Sequence, residues 1–280
     1  MTEDIWNVYQ SRLDAHGATV REAIEKREVR MLNSKLPNTL SYELVDIYLS
    51  EYGFNILSEE TRDHKITQNV AVINSDNLNE KLIYSMPGED IEIGSLVVLD
   101  DSYWLVCEKD YRVVLYTKAK IIQCNYLLKW IQDGEIMAQW CIIEDGTKYM
   151  TGELEDRNFV VTRGDARIAM QIARNEHTVK FNRECRFLID DEDSPHKMSF
   201  MLTKPLKVGS PYNGKGVFKF VLQESTATGD DNHELGIADY YKYFTKDGTK
   251  ISTSGENKAS DDETLSDDTL NETNGKRVWF

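Results

Sequence analysis

The chain has 280 residues, with 33 Lys or Arg against 48 Asp or Glu, which gives a formal net charge of −15 at pH 7. This acidic surplus disfavours binding to DNA phosphates and to anionic membrane surfaces, because both need lysine and arginine in excess. With 40% hydrophobic and 10% aromatic residues, the composition excludes a wholly disordered chain and suits two domains with appended segments.

The sequence has no feature that directs it to a membrane. No run approaches the roughly twenty apolar residues that a membrane span needs. The first residues, MTED, are acidic and do not have the basic-then-apolar order of a signal peptide. We therefore expect synthesis in the cytoplasm and no membrane partner.

Residues 1–40 are predicted to form a helical arm. Thr19 and Glu22 have the spacing of a capping box, in which each side chain bonds a free backbone N–H at the start of a helix. An apolar stripe follows on that helix, and it comprises Val20, Ala23, Ile24 and Met31. The stripe is thin for a core helix, so it packs either on the body of this chain or on a partner. We take its four residues as candidate partner-binding residues.

From Val70 onward, short apolar runs separated by turn residues indicate β-strands, whereas residues 41–66 fit helix or strand equally well. The predicted strands are Val70–Ile73, Lys81–Ser85, Leu96–Leu99, Tyr103–Glu108, Val113–Lys118, Ile121–Trp130, Glu135–Ile143, Phe159–Thr162, Ile168–Ile172, Cys185–Ile189, Ser199–Leu202 and Val217–Gln223. This spacing favours barrels or sandwiches over a βαβ enzyme fold. We predict a mainly β protein with two small β-barrel or sandwich domains, over residues 41–131 and 132–224.

The second β domain is a possible repeat of the first, since each has a strand, an acidic connection, a hairpin and a longer last strand. The matched residues are Leu82 and Tyr84 with Ile168 and Met170, Ile91 and Ile93 with Val179 and Phe181, and LVVLDD at 96–101 with RFLIDD at 186–191. Residue identity between the copies is slight, so two unrelated runs of hairpins remain the alternative.

The last part of the chain changes in composition. Residues 225–250 keep an aromatic cluster and form an aromatic extension, whereas residues 251–280 are polar, acidic and predicted to be a disordered tail. The tail finishes with Val278, Trp279 and Phe280, which we interpret as a docking peptide for a partner. The alternative is an inert end.

The sequence has no motif that carries catalysis or metal binding. It lacks a zinc-binding HExxH, a GxSxG nucleophile elbow, a phosphate loop and a dinucleotide fingerprint. The acidic run at 190–193 lacks the spacing and the glycine of a calcium loop. We therefore predict no catalytic residue, no metal site, no cofactor and no enzyme activity.

Two functions from other classes stay open. In a carbohydrate-binding β-module, Tyr103 and Trp104 would form a stacking platform, although aromatic residues in alternating strands more often belong to a core. In a peptidoglycan hydrolase, the run at 190–193 would act with His196, although no motif supports this.

Segments along most of the chain resemble virion proteins of tailed phages and prophages of Gram-positive bacteria. The segments are GSLVVLDDSYWLVCEKD, KIIQCNYLLKW, NFVVTRGDARIAM, RFLIDDEDSPHKM, GVFKFVLQE and GKRVWF. The chain is similar to head-closure or head–tail connector proteins, which sit beneath the portal. The resemblance implies a small β-barrel and gives no catalytic residue.

The resemblance also implies a place in the virion. The expected protein forms a ring in the neck below the portal, closes the head and connects it to the tail. Its partners would be further copies of itself, the portal or adaptor protein and tail proteins, while DNA passes through without specific binding. It would be assembled in the host cytoplasm and reside at the head–tail junction. Tail completion, the tail tip and capsid decoration are the alternative places.

Carboxylates in the turns of the first domain are expected to face the channel of such a ring. An acidic wall repels DNA phosphates, so the genome would slide without adhering. The candidate channel-facing residues are Glu89, Asp90, Glu92, Asp100 and Asp101.

Overall fold

The computed structural model describes residues 2–50, 55–59, 63–112, 115–145, 167–191, 193–207 and 214–251. It is mainly β, with two N-terminal helices and two six-stranded, barrel-like sheets, and this confirms the predicted fold class. The helices are α1 (Thr2–His16) and α2 (Val20–Lys35). The strands are β1 (Tyr42–Tyr48), β2 (Lys65–Asn74), β3 (Glu80–Ser85), β4 (Leu96–Leu99), β5 (Ser102–Asp110), β6 (Lys118–Gln123), β7 (Tyr126–Gln132), β8 (Glu135–Asp145), β9 (Arg167–Ala173), β10 (Arg186–Ile189), β11 (Met198–Lys204) and β12 (Val217–Ser225). None of the helices in these ranges is long and apolar enough to cross a membrane.

The first sheet is a closed barrel in the strand order β1-β2-β3-β6-β5-β4. It closes where β1 pairs with β4, with Ile47 opposite Val97. Both of these residues are buried, as are Val45 and Ile83, because alternate residues of each strand point into the barrel. Residues 42–48, which the sequence left undecided, therefore form a strand.

The second sheet repeats the strand order of the first. Its order, β7-β8-β9-β12-β11-β10, is that of the barrel with every strand number raised by six. Both sheets also carry a β-bulge at the same place, between Val106 and Glu108 in β5 and between Leu202 and Lys204 in β11. A bulge twists its strand locally and leaves one extra residue, so a shared bulge is a specific point of likeness.

The strand registers also make the two cores equivalent, residue by residue. Every buried residue of the barrel core has its counterpart in the second core. The pairs are Val45/Leu128, Ile47/Trp130, Val70/Cys141, Ile83/Met170, Ile91/Phe181, Val97/Phe187, Leu99/Ile189, Trp104/Phe200, Val106/Leu202, Ala119/Phe220 and Ile121/Leu222. We infer that the two sheets are copies of one β unit.

The sequence-based matching of the copies was wrong at two places. The registers make Ile83, not Tyr84, the counterpart of Met170, because a slip of one residue exchanges the two faces of a strand. Phe181 corresponds to Ile91, not to Ile93. Each is a buried core residue that precedes β4 or β10 by the same number of positions in the sequence. The hairpin segments 96–101 and 186–191 are equivalent, as their sequence pattern predicts.

The chain passes from the barrel to the second sheet at two adjacent residues. The N–H of Cys124 donates to Tyr103 O in the barrel (2.8 Å), whereas that of Asn125 donates to Cys141 O in β8 (3.2 Å). The predicted strand Ile121–Trp130 is therefore two strands, and the change of sheet precedes residue 131. The predicted strand Val113–Lys118 was also wrong, because residues 115–117 form no strand and β6 begins at Lys118.

The two bodies pack on each other through an apolar cluster. Leu96 and Leu105 of the barrel meet Ile142 and Val217 of the second sheet. At its edge Lys215 pairs with Glu92. The joint between the two bodies thus has an apolar interior and a charged pair at its rim.

Residues 226–251 pack on the second sheet after β12 ends. The side chain of Asp231 is fully buried there and pairs with Arg186 on β10 at 2.8 Å. Arg186 also pairs with Asp239 at 2.9 Å. Ile237 and Tyr240 add buried apolar surface, so this aromatic segment is part of the second body.

Candidate interaction surfaces

The helical arm contributes no buried residue to the protein. From Asp4 to Leu44 every residue is at least partly exposed, and the first buried residue is Val45 in the barrel. A helix is normally stabilised in water by packing an apolar face. The described part of the chain does not cover the apolar faces of α1 and α2.

The turn between α1 and α2 is specified by its sequence. Gly17 has a φ of +92°, and its N–H donates to Leu13 O at 2.6 Å. A Cβ at this position would lie 2.7 Å from Cβ of Glu22, so only glycine fits. Thr19 Oγ1 accepts from the Glu22 N–H (3.2 Å), while Glu22 Oε2 accepts from the Ala18 N–H (2.8 Å). The predicted cap is present, with Glu22 reaching one residue further back than expected.

The predicted stripe on α2 lies open. Val20 is 79% exposed and Ile24 is 55% exposed, while Met31 is exposed and Ala23 is half-buried. The structure thus does not place this stripe on the body of its own chain. Its role in binding a partner remains a prediction.

The sequence analysis missed a second group of exposed apolar residues, on α1. Ile5, Trp6, Val8 and Tyr9 are all more than half exposed. The rings of Trp6 and Tyr9 lie 5.8 Å apart, as expected for residues three apart on a helix. The spacing of Trp6 and Tyr9, three residues apart, is the sequence signal that could have predicted this second group.

The five candidate channel-facing carboxylates lie at two opposite ends of the barrel. Asp100 and Asp101 form the tip of the β4–β5 hairpin, with φ values of 49° and 56° that suit a tight two-residue turn. Asp100 lies 3.8 Å from Lys81, where β3 begins. The segment 89–92 lies where β3 ends, since Ser85 Oγ donates to Glu89 O at 2.8 Å.

Three carboxylates of this set have lysine partners within the chain, and one of them is Asp100 with Lys81. Asp90 pairs with Lys109 and accepts from Thr117 Oγ1 at 2.5 Å. Partial burial acts to raise the pKa of Asp90, but these hydrogen bonds outweigh it and hold the pKa below its ordinary value. Glu92 pairs with Lys215 across the joint between the bodies. That the five carboxylates face a channel remains a prediction. Their lysine partners reduce the net negative charge that the set would present there.

The second sheet differs from the barrel at one seam. β7 and β10 are the counterparts of the paired strands β1 and β4, yet in the described structure each pairs on its other side only. The hydroxyl of Tyr126 donates to Leu188 O across the seam at 2.9 Å. The second unit is therefore a barrel with an open seam.

Larger core residues account for the open seam. The opposed pair Ile47 and Val97 of the barrel is replaced by Trp130 and Phe187. The ring of Phe181 lies 5.1 Å from that of Trp130 and 5.2 Å from that of Phe187. These three rings, which we call the aromatic wedge, take up more of the core behind the seam than Ile47, Val97 and Ile91 do in the barrel.

A groove of about 630 Å³ lies at this seam. Its apolar part is lined by Tyr126, Trp140 and Ile189, and its rim carries Asp190 and Asp191. A second cavity of about 220 Å³ continues from Tyr126 towards residues 234–236. No sequence pattern indicated this groove.

The stacking platform that the carbohydrate-binding alternative would form from Tyr103 and Trp104 is not present. Trp104 is only 4% exposed and belongs to the barrel core, so it cannot stack on a ligand. Tyr103 is occupied by Trp140, whose ring stacks on it at 5.0 Å.

The hydrolase alternative would combine the acidic run at 190–193 with His196. Ser194 Oγ donates to Asp190 Oδ2 at 3.1 Å, and the ring of His196 lies 5.9 Å from that of His233. Within the described ranges, no group of three or more His, Cys, Asp or Glu could hold a metal ion. Val278, Trp279 and Phe280 lie outside the described residues.

Comparison with known proteins adds little. No protein-family model matches the sequence, and no curated protein matches it. Among solved structures, the chain is similar to the Bacillus subtilis inhibitor of motility MotI/DgrA, at 12% identity over 71% of this chain and 93% of that chain. The TM-score is 0.20, which is too low to support an argument about fold or function.

Proposed function

We propose that this chain is a structural assembly protein that docks onto a neighbouring protein through its helical arm. The observation that carries the proposal is the contrast between the arm and the body. Two β bodies bury complete cores, whereas α1 and α2 leave large apolar side chains in water. Exposed apolar residues grouped on one element mark interaction sites.

The energetic reason is the burial of these side chains. Burying a Val, Ile, Phe or Met side chain is worth about 1.5–3 kcal/mol. A partner that covers the stripe of Val20, Ile24 and Met31 together with Trp6 would therefore gain part of this free energy at each residue, in proportion to the surface that is still exposed. An amphipathic helix laid in an apolar groove is a common way to do so.

Within this class, we propose a place in the neck of a tailed-phage virion, in a homo-oligomeric ring below the portal. The sequence resemblance to head-closure and connector proteins supports this narrower proposal. A ring needs subunits of fixed shape, and the apolar joint between the two bodies supplies one. Portal, adaptor and tail proteins are the proposed partners, with DNA passing through unbound.

The test is the variant Ile24→Asp, with Asn33→Asp as its matched control. Both substitutions add one negative charge to an exposed position of α2, but Asn33 lies on the face away from the stripe. We expect Ile24→Asp to fold with an unchanged thermal transition and to be absent from purified particles. Asn33→Asp should be incorporated like the wild type.

The measurement is the amount of each variant in particles after complementation of a deletion. Equal incorporation of both variants would show that the α2 stripe is not the docking element. Loss of both would indicate a general effect of charge on the arm, and would also contradict the proposal.

A further inference from the structure

We infer that the groove at the open seam of the second β body is a docking site for the peptide at residues 276–280 of this same chain, Lys-Arg-Val-Trp-Phe. The inference goes beyond the proposed function and does not depend on it. It rests on the seam between β7 and β10, on the groove that lines it, and on the chemistry of that peptide.

The barrel provides an internal comparison for the seam. There β1 and β4 hydrogen-bond to each other and leave no edge, whereas the wedge of Trp130, Phe181 and Phe187 keeps β7 and β10 from doing so. In the described structure these two strands form no ladder on their facing sides. Strand edges of this kind accept an extended peptide through main-chain hydrogen bonds.

The groove beside these edges suits a peptide that is both aromatic and basic. Its apolar wall contains Tyr126, Trp140 and Ile189, and its volume of about 630 Å³ can hold large side chains. Its rim carries the carboxylates of Asp190, which is half-buried, and Asp191, which is exposed. The chain is strongly acidic, yet residues 276–280 place two basic residues directly before a valine and two aromatics.

The position of the peptide in the sequence allows it to reach this groove. The described structure ends at Ile251, whose N–H donates to Tyr243 O at 2.8 Å on the second body. The 24 residues from 252 to 275 can span up to roughly 80 Å when extended. The peptide can therefore occupy the groove of its own chain or that of a neighbouring copy.

The test measures binding of a dye-labelled GKRVWF peptide by fluorescence anisotropy. The receptor is the full chain carrying Trp279→Ala and Phe280→Ala, so that its own peptide does not compete. We expect saturable binding that is lost when the peptide is GKRVAA, because aromatic anchors carry most of the affinity of such sites. The wild-type chain should bind the labelled peptide more weakly, since its own residues 276–280 occupy the groove.

The matched control uses the equivalent hairpin of the closed barrel. Asp190→Asn with Asp191→Asn should weaken binding about tenfold, whereas Asp100→Asn with Asp101→Asn removes the same charge at the counterpart turn and should change nothing. On binding, the backbone amides of β7 and β10 should exchange more slowly with solvent.

Any of four results would overturn the inference. Three of them are equal binding of GKRVAA, an equal loss in both double Asp→Asn variants, and exchange protection away from β7 and β10. Equal binding of a neutral extended peptide, GTTVTT, would mean that the groove accepts any strand, and would overturn the assignment of residues 276–280. Because Ile24→Asp does not touch the groove, it should leave peptide binding unchanged even if it abolishes assembly.

Discussion

Gly94 lies where the backbones of the two β bodies approach each other closely. Its φ is +87°, and a Cβ built on it would lie 2.5 Å from the carbonyl oxygen of Gly216. That oxygen also accepts a hydrogen bond from the N–H of Arg174 at 2.9 Å, so it is held in place. Any side chain at Gly94 therefore meets both backbone strain and a fixed backbone atom.

Replacing Gly94 by alanine should destabilise the joint more than the same change at Gly88. Gly88 has a similar φ of +91°, but nothing lies within 4 Å of its Cβ position. The unfavourable φ alone costs about 1–3 kcal/mol in either variant. The clash at Gly94 should add about 1–3 kcal/mol in urea unfolding. Equal losses in the two variants would show that the close approach is not part of the native joint.

Asp231 ties the aromatic extension to the second sheet. Burial acts to raise its pKa, but the N–H groups of Asp239 and Thr228 and the guanidinium of Arg186 bond the ionised form and together lower it. A carboxyl whose pKa is lower in the folded than in the unfolded state stabilises the fold above its unfolded value. That contribution is lost as the pH falls from about 4 through the lowered pKa.

The variant Asp231→Ala should lose about 3–5 kcal/mol at pH 7, because it leaves the Arg186 charge without its buried partner. Asp133→Asn is the control: Asp133 pairs with Lys180 in solvent at a φ of +53°, which asparagine tolerates, and loss of this ion pair should cost less than about 1 kcal/mol. Below pH 4 the difference in free energy of unfolding between the wild type and Asp231→Ala should become smaller, as measured by urea unfolding at several pH values. A gap that does not change with pH would contradict this role for the carboxylate.

At the scale of elements, the sequence predicted those helices and hairpins that depend on interactions between neighbouring residues. The hairpin of β4 and β5 followed from alternating residues and the turn at Asp100 and Asp101, and the start of α2 followed from its capping residues. The division between β6 and β7 could not be predicted, because it depends on which sheet Cys124 and Asn125 bond to. No local signal distinguishes a long strand from two strands in different sheets.

The candidate surfaces were also predictable only where they depend on local sequence. The stripe on α2 was predictable from its spacing, but its exposure was not, since it depends on where the body lies. The seam was not predictable, because it follows from the sizes of Trp130, Phe181 and Phe187, which lie on separate elements. The wedge becomes visible only when the two copies are compared in register.

At the scale of the whole molecule, one β unit occurs twice with different outcomes. The first copy closes into a barrel. The second is open at one seam and carries an extension that the ion pair of Arg186 with Asp231 holds to it. An apolar joint holds the copies together, while the helical arm takes no part in either core. Two joined β bodies that carry an exposed helical arm are what the proposed assembly role requires.

A reconstruction of the intact virion neck tests this account most directly. The account predicts several copies of the chain in a ring below the portal, with α1 and α2 covered by the portal or by a neighbouring subunit. A neck without this chain, or a ring in which Trp6 and Ile24 still face solvent, would contradict it.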